Sequence, residues 1–527
     1  MSYNPFTPLY FQPSFEFGKE LVVDCFAGGG GASTGIEMAL GVSPDIAINH
    51  NEESVLLHMA NHKYTNHYIS DIFEVNPLIV SMGRPVGYAH FSPDCTHHSK
   101  ARGGKPKDKK IRALAWVVLK WATTVRQRVF TLENVEEFQD WGPLDNKGYA
   151  IESRKGETFN AFILALTTGL HKTHPAFKEI MEYVGEEYKE QIINGLGYTI
   201  DYKELKACDF GAPTIRKRFF MVGRCDGQPI KWPEPTHGDA NSVEVKSGKL
   251  KPYRSASEII DWGLPTYSIF MSKEEGKKHG VRRPLSDKTM ERIGKGFKKF
   301  VLENPEPYIV KNMNNNTPRL VSDPLSTILT GNHHYLTVPY MAKHYTGATG
   351  FKLDEPMHTV TTQDHHSIIV PYIHRQNRTP LGHDCNKPLG TITAVNKYAL
   401  TVPYFSQNPI HSKVVSSFLT KYYGQGIGQS SDTPLHTVPT KDRFGLVEIK
   451  GNEYYLDDIG FRMLTPRELY NAQGFPKDYI IDITLPNGKP LSKASQVRMC
   501  GNSVVPCVIE ALVKANYEIQ IVESKVA

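Results

Sequence analysis

A run of four glycines directly after a short apolar segment constrains this chain more than any other feature. Leu21-Val22-Val23-Asp24-Cys25-Phe26 is followed by Ala27-Gly28-Gly29-Gly30-Gly31 and then by a helical pattern through Glu37, Met38, Ala39 and Leu40. This predicts a strand, a glycine turn and a helix. Further strands are predicted at Asp45–Asn49, Val86–Phe91, Val129–Glu133 and Arg218–Gly223, with helical patterns between several of them. Such alternation predicts an α/β fold whose mostly parallel sheet binds ligands at the carboxyl ends of its strands. The glycine turn has no following Lys-Ser or Lys-Thr and no GxGxxG spacing, which argues against a phosphate cradle. A pocket for an unphosphorylated nucleoside cofactor fits better, with Asp24 accepting from an ammonium or amide group. Asp71, in Tyr68-Ile69-Ser70-Asp71-Ile72, is a second carboxylate able to meet an adenine amine, or else a helix cap.

With 527 residues the chain exceeds one ordinary core, so at least two domains are expected. Its 40% hydrophobic and 22% charged residues describe a globular protein, and no apolar run approaches the roughly 18 residues of a membrane span. The start, Met1-Ser2-Tyr3-Asn4-Pro5-Phe6, lacks the cationic and apolar regions of a signal peptide, so a cytoplasmic location without membrane attachment is expected. Seven cysteines form no CxxC pair, which argues against a disulfide framework and against a metal site.

From about residue 225 prolines, threonines and short β-like runs dominate, and an internal repeat emerges. Asp323–Ile328, Glu355–Val360, Lys387–Ile392 and Thr433–Val438 share one pattern, and three units end in Val-Pro-Tyr at Tyr340, Tyr372 and Tyr404. Each unit reads as a strand pair whose polar turn carries His333-His334, His365-His366, Lys397-Tyr398 or Arg443-Phe444. These are either polar hairpin tips or a surface facing nucleic acid.

The chemistry concentrates around residue 95. Phe91-Ser92-Pro93-Asp94-Cys95 places a cysteine just beyond a predicted strand, before a basic run of Lys100, Arg102, Lys105, Lys107, Lys109, Lys110 and Arg112 against Asp108 alone. That run carries +6, the net charge of the whole chain. It is either a solvated loop or a phosphate-contacting one. Cationic surroundings favour a thiolate nucleophile. Thr131-Leu132-Glu133-Asn134-Val135 ends another predicted strand with a carboxylate that the same sheet geometry brings to the same edge. A thiolate beside a carboxylic acid suits attack on an electron-poor ring whose nitrogen is protonated in the same step.

In these blocks the chain resembles the DNA cytosine-5 methyltransferases. Asp24 to Gly31 resembles their S-adenosylmethionine loop, Asp71 the adenine contact, Pro93-Asp94-Cys95 the nucleophile block and Glu133-Asn134-Val135 the ring-protonating block. Phe210 to Arg218 resembles the block whose two arginines hold the target base and its phosphate. Arg462 to Arg467 with Gly474-Phe475-Pro476 resembles the block supporting the recognition region, and Gly501 to Pro506 the block closing over the cofactor.

The resemblance implies a Rossmann-like methyltransferase sheet with an inserted, mostly β target-recognition domain: a catalytic and cofactor-binding domain over 18–240, the insertion over 241–455, and a C-terminal segment over 456–527 that completes the first. It implies catalysis by Cys95, Glu133, Arg216 and Arg218. Cofactor binding falls to Asp24, Phe26, Ala27, Gly28, Gly29, Gly30, Asn49, Asp71, Ile72, Asn502, Ser503 and Val504, and DNA binding to the basic run with Lys397 and Arg443. Three departures stand out: Asp94 and Thr96 flank the cysteine in place of Pro and Gln, Asn49 stands at the place of a ribose-holding acid, which implies weaker cofactor binding or the use of Glu52 instead, and Thr214 stands where Gln is usual. The implied partners are double-stranded DNA and a cognate restriction endonuclease, for an enzyme acting as a monomer at the nucleoid of a bacterial host. An RNA cytosine-5 methyltransferase and a non-catalytic DNA-binding protein are the alternatives. The stretch of over 200 residues between the arginine block and Arg462 favours DNA over RNA, and retention of Cys95, Glu133 and Arg218 favours catalysis.

Overall fold

The computed structural model describes residues 18–94, 112–261, 263–287, 289–290, 293 and 458–521, together with the backbone of strands between 308 and 457. Cys95, the basic residues from Lys100 to Lys110, His333, His365, Lys397 and Arg443 lie outside the described residues. The chain divides into two compact units. The first holds residues 1–212, 216–236 and 473–527, and the second holds 213–215 and 237–472.

Seven strands form the sheet of the first unit: β1 (Leu21–Asp24), β2 (Ile46–Asn49), β3 (Asn66–Ile69), β4 (Val86–Phe91), β5 (Val129–Asn134), β6 (Thr199–Lys206) and β7 (Lys217–Arg224), in the spatial order β3-β2-β1-β4-β5-β7-β6. β1 to β5 are parallel and β7 is antiparallel to both its neighbours. The helices that matter below are α1 (Gly31–Leu40), α2 (Glu52–Asn61), α3 (Pro77–Ser81) and α4 (Val117–Thr124).

Both faces of this sheet are covered, and the two-residue period of the strands sorts side chains between them. Val22 and Tyr88 pack with Ile36 of α1 and with Val508, Ile509 and Leu512 of the helix Pro506–Asn516. Their strand neighbours Val23 and Ala89 pack on the other face with Trp116, Trp121 and Phe162. The C-terminal helix therefore supplies part of one layer, and the chain must return from the second unit to finish the core.

The second unit is built around an 11-stranded antiparallel sheet in which Tyr398–Ser406 pairs along Asn452–Met463, with Thr401 opposite Phe461. The repeat segments His334–Leu336, Tyr340–Lys343, His366–Ile369 and Tyr372–Arg375 belong to it. His334, His366 and Tyr398, expected in polar turns, each open a strand. The expected boundary at 455/456 falls inside the strand Asn452–Met463, whose pairing with Tyr398–Ser406 runs from Tyr455 to Met463, and the second unit extends to Ala472. Arg462 explains part of that extension. Its guanidinium donates to both oxygens of buried Glu468, at 2.8 and 3.0 Å, while Glu468 also accepts from the Asp261 backbone N–H at 2.8 Å. The block around Arg462 is thus an internal brace of this unit.

Candidate active site

The order of the strands reverses between β1 and β4, and a cleft is expected outside the carboxyl ends of strands flanking such a point. Asp24 ends β1, Phe91 ends β4 and Glu133-Asn134 ends the adjacent β5. The sheet thereby brings the cofactor loop, the segment leading to Cys95 and the carboxylate Glu133 to one edge.

The glycine loop is packed rather than open. Gly30 has φ of 79°, a left-handed conformation that favours glycine, and the Tyr479 hydroxyl donates to the Gly29 carbonyl at 3.0 Å. A Cβ at Gly31 would collide with the Val504 carbonyl and the Ser503 hydroxyl, and one at Gly29 would lie 2.6 Å from the Met499 carbonyl oxygen. The Gly31 N–H donates to Ser503 Oγ at 2.9 Å across 472 residues of sequence. Three of the four glycines therefore allow close approach of the C-terminal segment. Gly28 differs: a Cβ there would meet only the Phe26 carbonyl, at 3.8 Å. Phe26 and Gly28 are also the half-buried residues of a stretch in which Ala27 and Gly29 to Gly31 are buried.

Asp24 is 1% exposed. Its Oδ2 accepts from the Ser33 hydroxyl at 2.8 Å, and it makes no ion pair among the described residues. Burial pushes its carboxyl up to about 6, against the lowering effect of the Ser33 hydrogen bond. A buried carboxylate without a cation suits a ligand ammonium. Asp71, half-buried after β3, accepts from the Phe73 N–H at 3.0 Å through Oδ1, and Ile72 beside it is buried. Asn49 Oδ1 accepts from the Asn51 N–H at 2.8 Å, while Glu52 stands exposed in the first turn of α2. Asn502 is exposed, and Ser503 and Val504 are buried against the glycine loop. These residues fit a nucleoside carrying an aminoacyl end.

Glu133, Arg216 and Arg218 are 6%, 4% and 9% exposed. Glu133 Oε1 lies 3.2 Å from Arg218 Nε and 3.7 Å from Arg216 Nη2. Arg216 Nη1 donates to the Gly501 carbonyl at 2.8 Å, and Arg218 Nη1 donates to the Lys217 carbonyl at 2.9 Å. One carboxylate faces two buried cations, so the group carries a net positive charge suited to a polar, partly anionic substrate. Next to Glu133, the Asn134 side chain donates to the Pro93 carbonyl at 3.1 Å. This bond ties the segment that leads to Cys95 to the end of β5. Thr214 is fully buried, and Asp94 is exposed.

Arg112 needs correction as a phosphate contact. It is 3% exposed and donates to the Gly142 carbonyl at 2.9 Å, so its guanidinium points inward and burial lowers its pKa to about 10. Sequence reasoning also missed Ser33, His58, His62 and His67, which form a buried polar cluster behind the glycine loop. Three histidines within ten residues, two of them four apart at the end of α2, were the available signal.

Comparison with known proteins gives the family. The profile of the C-5 cytosine-specific DNA methylase family matches residues 185–518. The type II methyltransferase M.AquIA of Picosynechococcus sp. is 26% identical over 256 residues, which cover 46% of this chain and 88% of that protein. M.SacI of Streptomyces achromogenes is 36% identical over 110 residues, and M1.HphI of Haemophilus parahaemolyticus is 48% identical over 48. The chain spans 25% and 13% of those two relatives. Among the described residues no helix is long and apolar enough to cross a membrane. With the family profile spanning well over half of its length, the chain belongs to the C-5 cytosine-specific DNA methylases, S-adenosylmethionine-dependent enzymes that methylate cytosine in DNA.

Proposed function

We propose that this enzyme methylates C5 of a cytosine rotated out of a specific duplex sequence, through a covalent bond to Cys95. The observation carrying this reading is the pairing of Glu133 with Arg218 and Arg216 beside the Asn134 bond to Pro93, two residues before Cys95. A stacked cytosine hides its ring faces, so an attack at C6 requires the base to leave the duplex. Cys95 thiolate forms the bond to C6 while Glu133, which takes up a proton as the base binds, gives that proton to N3, and the electron pair moves to C5. Asp24, Phe26 to Gly30, Asp71 and Ile72 with Asn502 to Val504 would hold S-adenosylmethionine, which when bound would supply the methyl group and leave as S-adenosylhomocysteine. Transfer of the C5 proton to a water molecule then returns the electron pair, breaks the C6–S bond and restores the thiolate, and N3 gives its proton back to Glu133. Arg218 holds the base's carbonyl oxygen, and Arg216 keeps Glu133 and the Gly501 carbonyl in place. Burial pushes the Cys25, Cys208, Cys225 and Cys500 thiols up, which suits them to packing rather than attack.

Lys100, Arg102, Lys105, Lys107, Lys109 and Lys110 meet DNA phosphates in this reading, without Arg112. Residues 237–472 read the sequence, with Lys397 and Arg443 among the contacts. The type II methyltransferase naming of the relatives supports the role of a DNA-modifying enzyme. In this reading it acts as a monomer on cytoplasmic DNA beside a cognate endonuclease. Mapping 5-methylcytosine in DNA from cells expressing the protein tests the reading. One recurring methylated sequence is expected, and DNA without new 5-methylcytosine would overturn it.

A further inference from the structure

Asp24 begins a row of buried hydrogen bonds that methyl transfer does not use. Ser33 Oγ lies 2.8 Å from Asp24 Oδ2, His58 Nε2 lies 2.8 Å from Ser33 Oγ, and His67 Nε2 lies 2.8 Å from His58 Nδ1. Asp24, Ser33, His58 and His67 are all 2% exposed or less. The row runs from β1 through α1 and α2 to β3, the edge strand of the sheet. At its far end His67 hydrogen-bonds the Thr65 backbone in a way that favours a protonated ring.

A hydroxyl and a neutral imidazole each have one proton to donate, so the donor direction at one position fixes it at the next. With Asp24 ionised, Ser33 donates to Asp24, His58 donates to Ser33 through Nε2–H, and His58 Nδ1 accepts from His67 Nε2–H. With Asp24 protonated, every donor reverses. Asp24 donates to Ser33, Ser33 to His58 Nε2, His58 Nδ1–H to His67 Nε2, and His67 Nδ1–H is left for Thr65. The second arrangement holds one proton more. Passing from it to the first shifts one proton at each bond and releases one from His67 Nδ1.

The surrounding groups act on this row through burial and charge, His62 among them. His62, which caps the end of α2, lies against His58, with ring centroids 4.4 Å apart, and its Nδ1 is paired with Glu37 at 2.9 Å. Cys25, Tyr88 and Tyr479 lie near Asp24, and burial pushes all three up, so they remain neutral. Burial and the neighbouring histidines hold His58 and His67 well below the usual imidazole range, so a proton reaching His67 is readily passed on.

We propose that Asp24, Ser33, His58 and His67 form a proton relay for cofactor binding, in which Asp24 gives up its proton to the row when a ligand ammonium arrives, and His58 is the positioning residue that carries it. The inference rests on the reading of Asp24 as part of the S-adenosylmethionine site. His58 touches no reacting atom. It acts by reversing its tautomer, from Nδ1–H in the free enzyme to Nε2–H with ligand bound.

The test uses the full chain labelled with ¹⁵N-histidine and S-adenosylhomocysteine, which retains the ammonium. Imidazole ¹⁵N shifts, assigned with His58→Gln and His67→Gln, should report Nδ1–H on His58 at pH 5.5 and Nε2–H after ligand is added. Calorimetry in buffers of different ionisation enthalpy should show proton release on binding, with affinity falling roughly tenfold per pH unit below the Asp24 value of about 6. Ser33→Ala cuts the row and should bind the ligand with an unresponsive His58 tautomer. Ligand binding to the wild type without a tautomer change, or a change that persists in Ser33→Ala, overturns the relay alone. Absence of any binding overturns the cofactor reading with it.

Discussion

Glu133 Oε1 faces Arg218 Nε at 3.2 Å, with both side chains at most 10% exposed. This pair joins the end of β5 to the start of β7, which run antiparallel with Glu133 opposite Phe220. The carboxylate is thus fixed by its strand and by two cations before substrate arrives. Glu133→Gln keeps the shape, but it removes the acid and leaves two guanidiniums without their anion. Its single-turnover methylation rate should fall roughly 10²–10⁴-fold, the usual contribution of a positioned acid. An unchanged rate on bound DNA would remove Glu133 from the proton transfer.

Asn134 makes a separate prediction, because it acts on the backbone. Asn134→Ala leaves the buried Pro93 carbonyl without its donor, which should destabilise the fold by about 1–3 kcal/mol. Methyl transfer should slow while S-adenosylhomocysteine affinity stays within about twofold, since the cofactor loop is held by other residues. Equal losses in both quantities would show that the bond braces the whole sheet edge. Chemistry and affinity are separated by single-turnover rates and calorimetry.

The parts of this arrangement legible in the sequence are those that a short stretch encodes. The apolar run ending in Asp24, the glycines behind it, and the carboxylate after Thr131-Leu132 announce strand ends, and a parallel sheet gathers strand ends by itself. What escaped was long-range packing. The glycines follow from residues near 500 and from Tyr479, nearly the whole chain away. Arg112 belongs by composition to a basic run, yet the Gly142 carbonyl turns it inward. Ser33, His58 and His67 come from three different elements, and their spacing in sequence shows nothing of their shared row.

The same row predicts a particular stability profile. Burial raises Asp24 from the usual value near 4 to about 6, so between those values the folded state holds a proton that the unfolded chain has lost. Stability from this group falls as pH rises through that window. His67 is lowered from about 6.5 to about 4, so there the unfolded chain holds the extra proton and stability rises over nearly the same window. The two slopes oppose one another in the wild type. Asp24→Asn removes the falling one, so its stability relative to wild type should improve by about 3 kcal/mol between pH 4 and pH 7. Urea unfolding at intervals of half a pH unit checks the sign, and parallel curves would contradict the buried state of Asp24.

For the basic segment, each cation neutralising a phosphate adds about 0.9 to the slope of log affinity against log salt. Replacing Lys107, Lys109 and Lys110 with alanine should flatten that slope by about 2–3, while Arg112→Ala should leave it unchanged and lower the melting temperature. An unaltered slope in the triple variant would make the segment a solvated loop.

Trapping on DNA that carries 5-fluorocytosine at the methylated position tests the covalent mechanism most directly, because fluorine at C5 blocks the elimination that frees the enzyme. Wild type with S-adenosylmethionine should give a protein–DNA adduct that survives denaturation, and peptide mapping should place it on Cys95. Cys95→Ser should give none while still binding the duplex. An adduct formed equally by Cys95→Ser, or mapped to another cysteine, would contradict the mechanism.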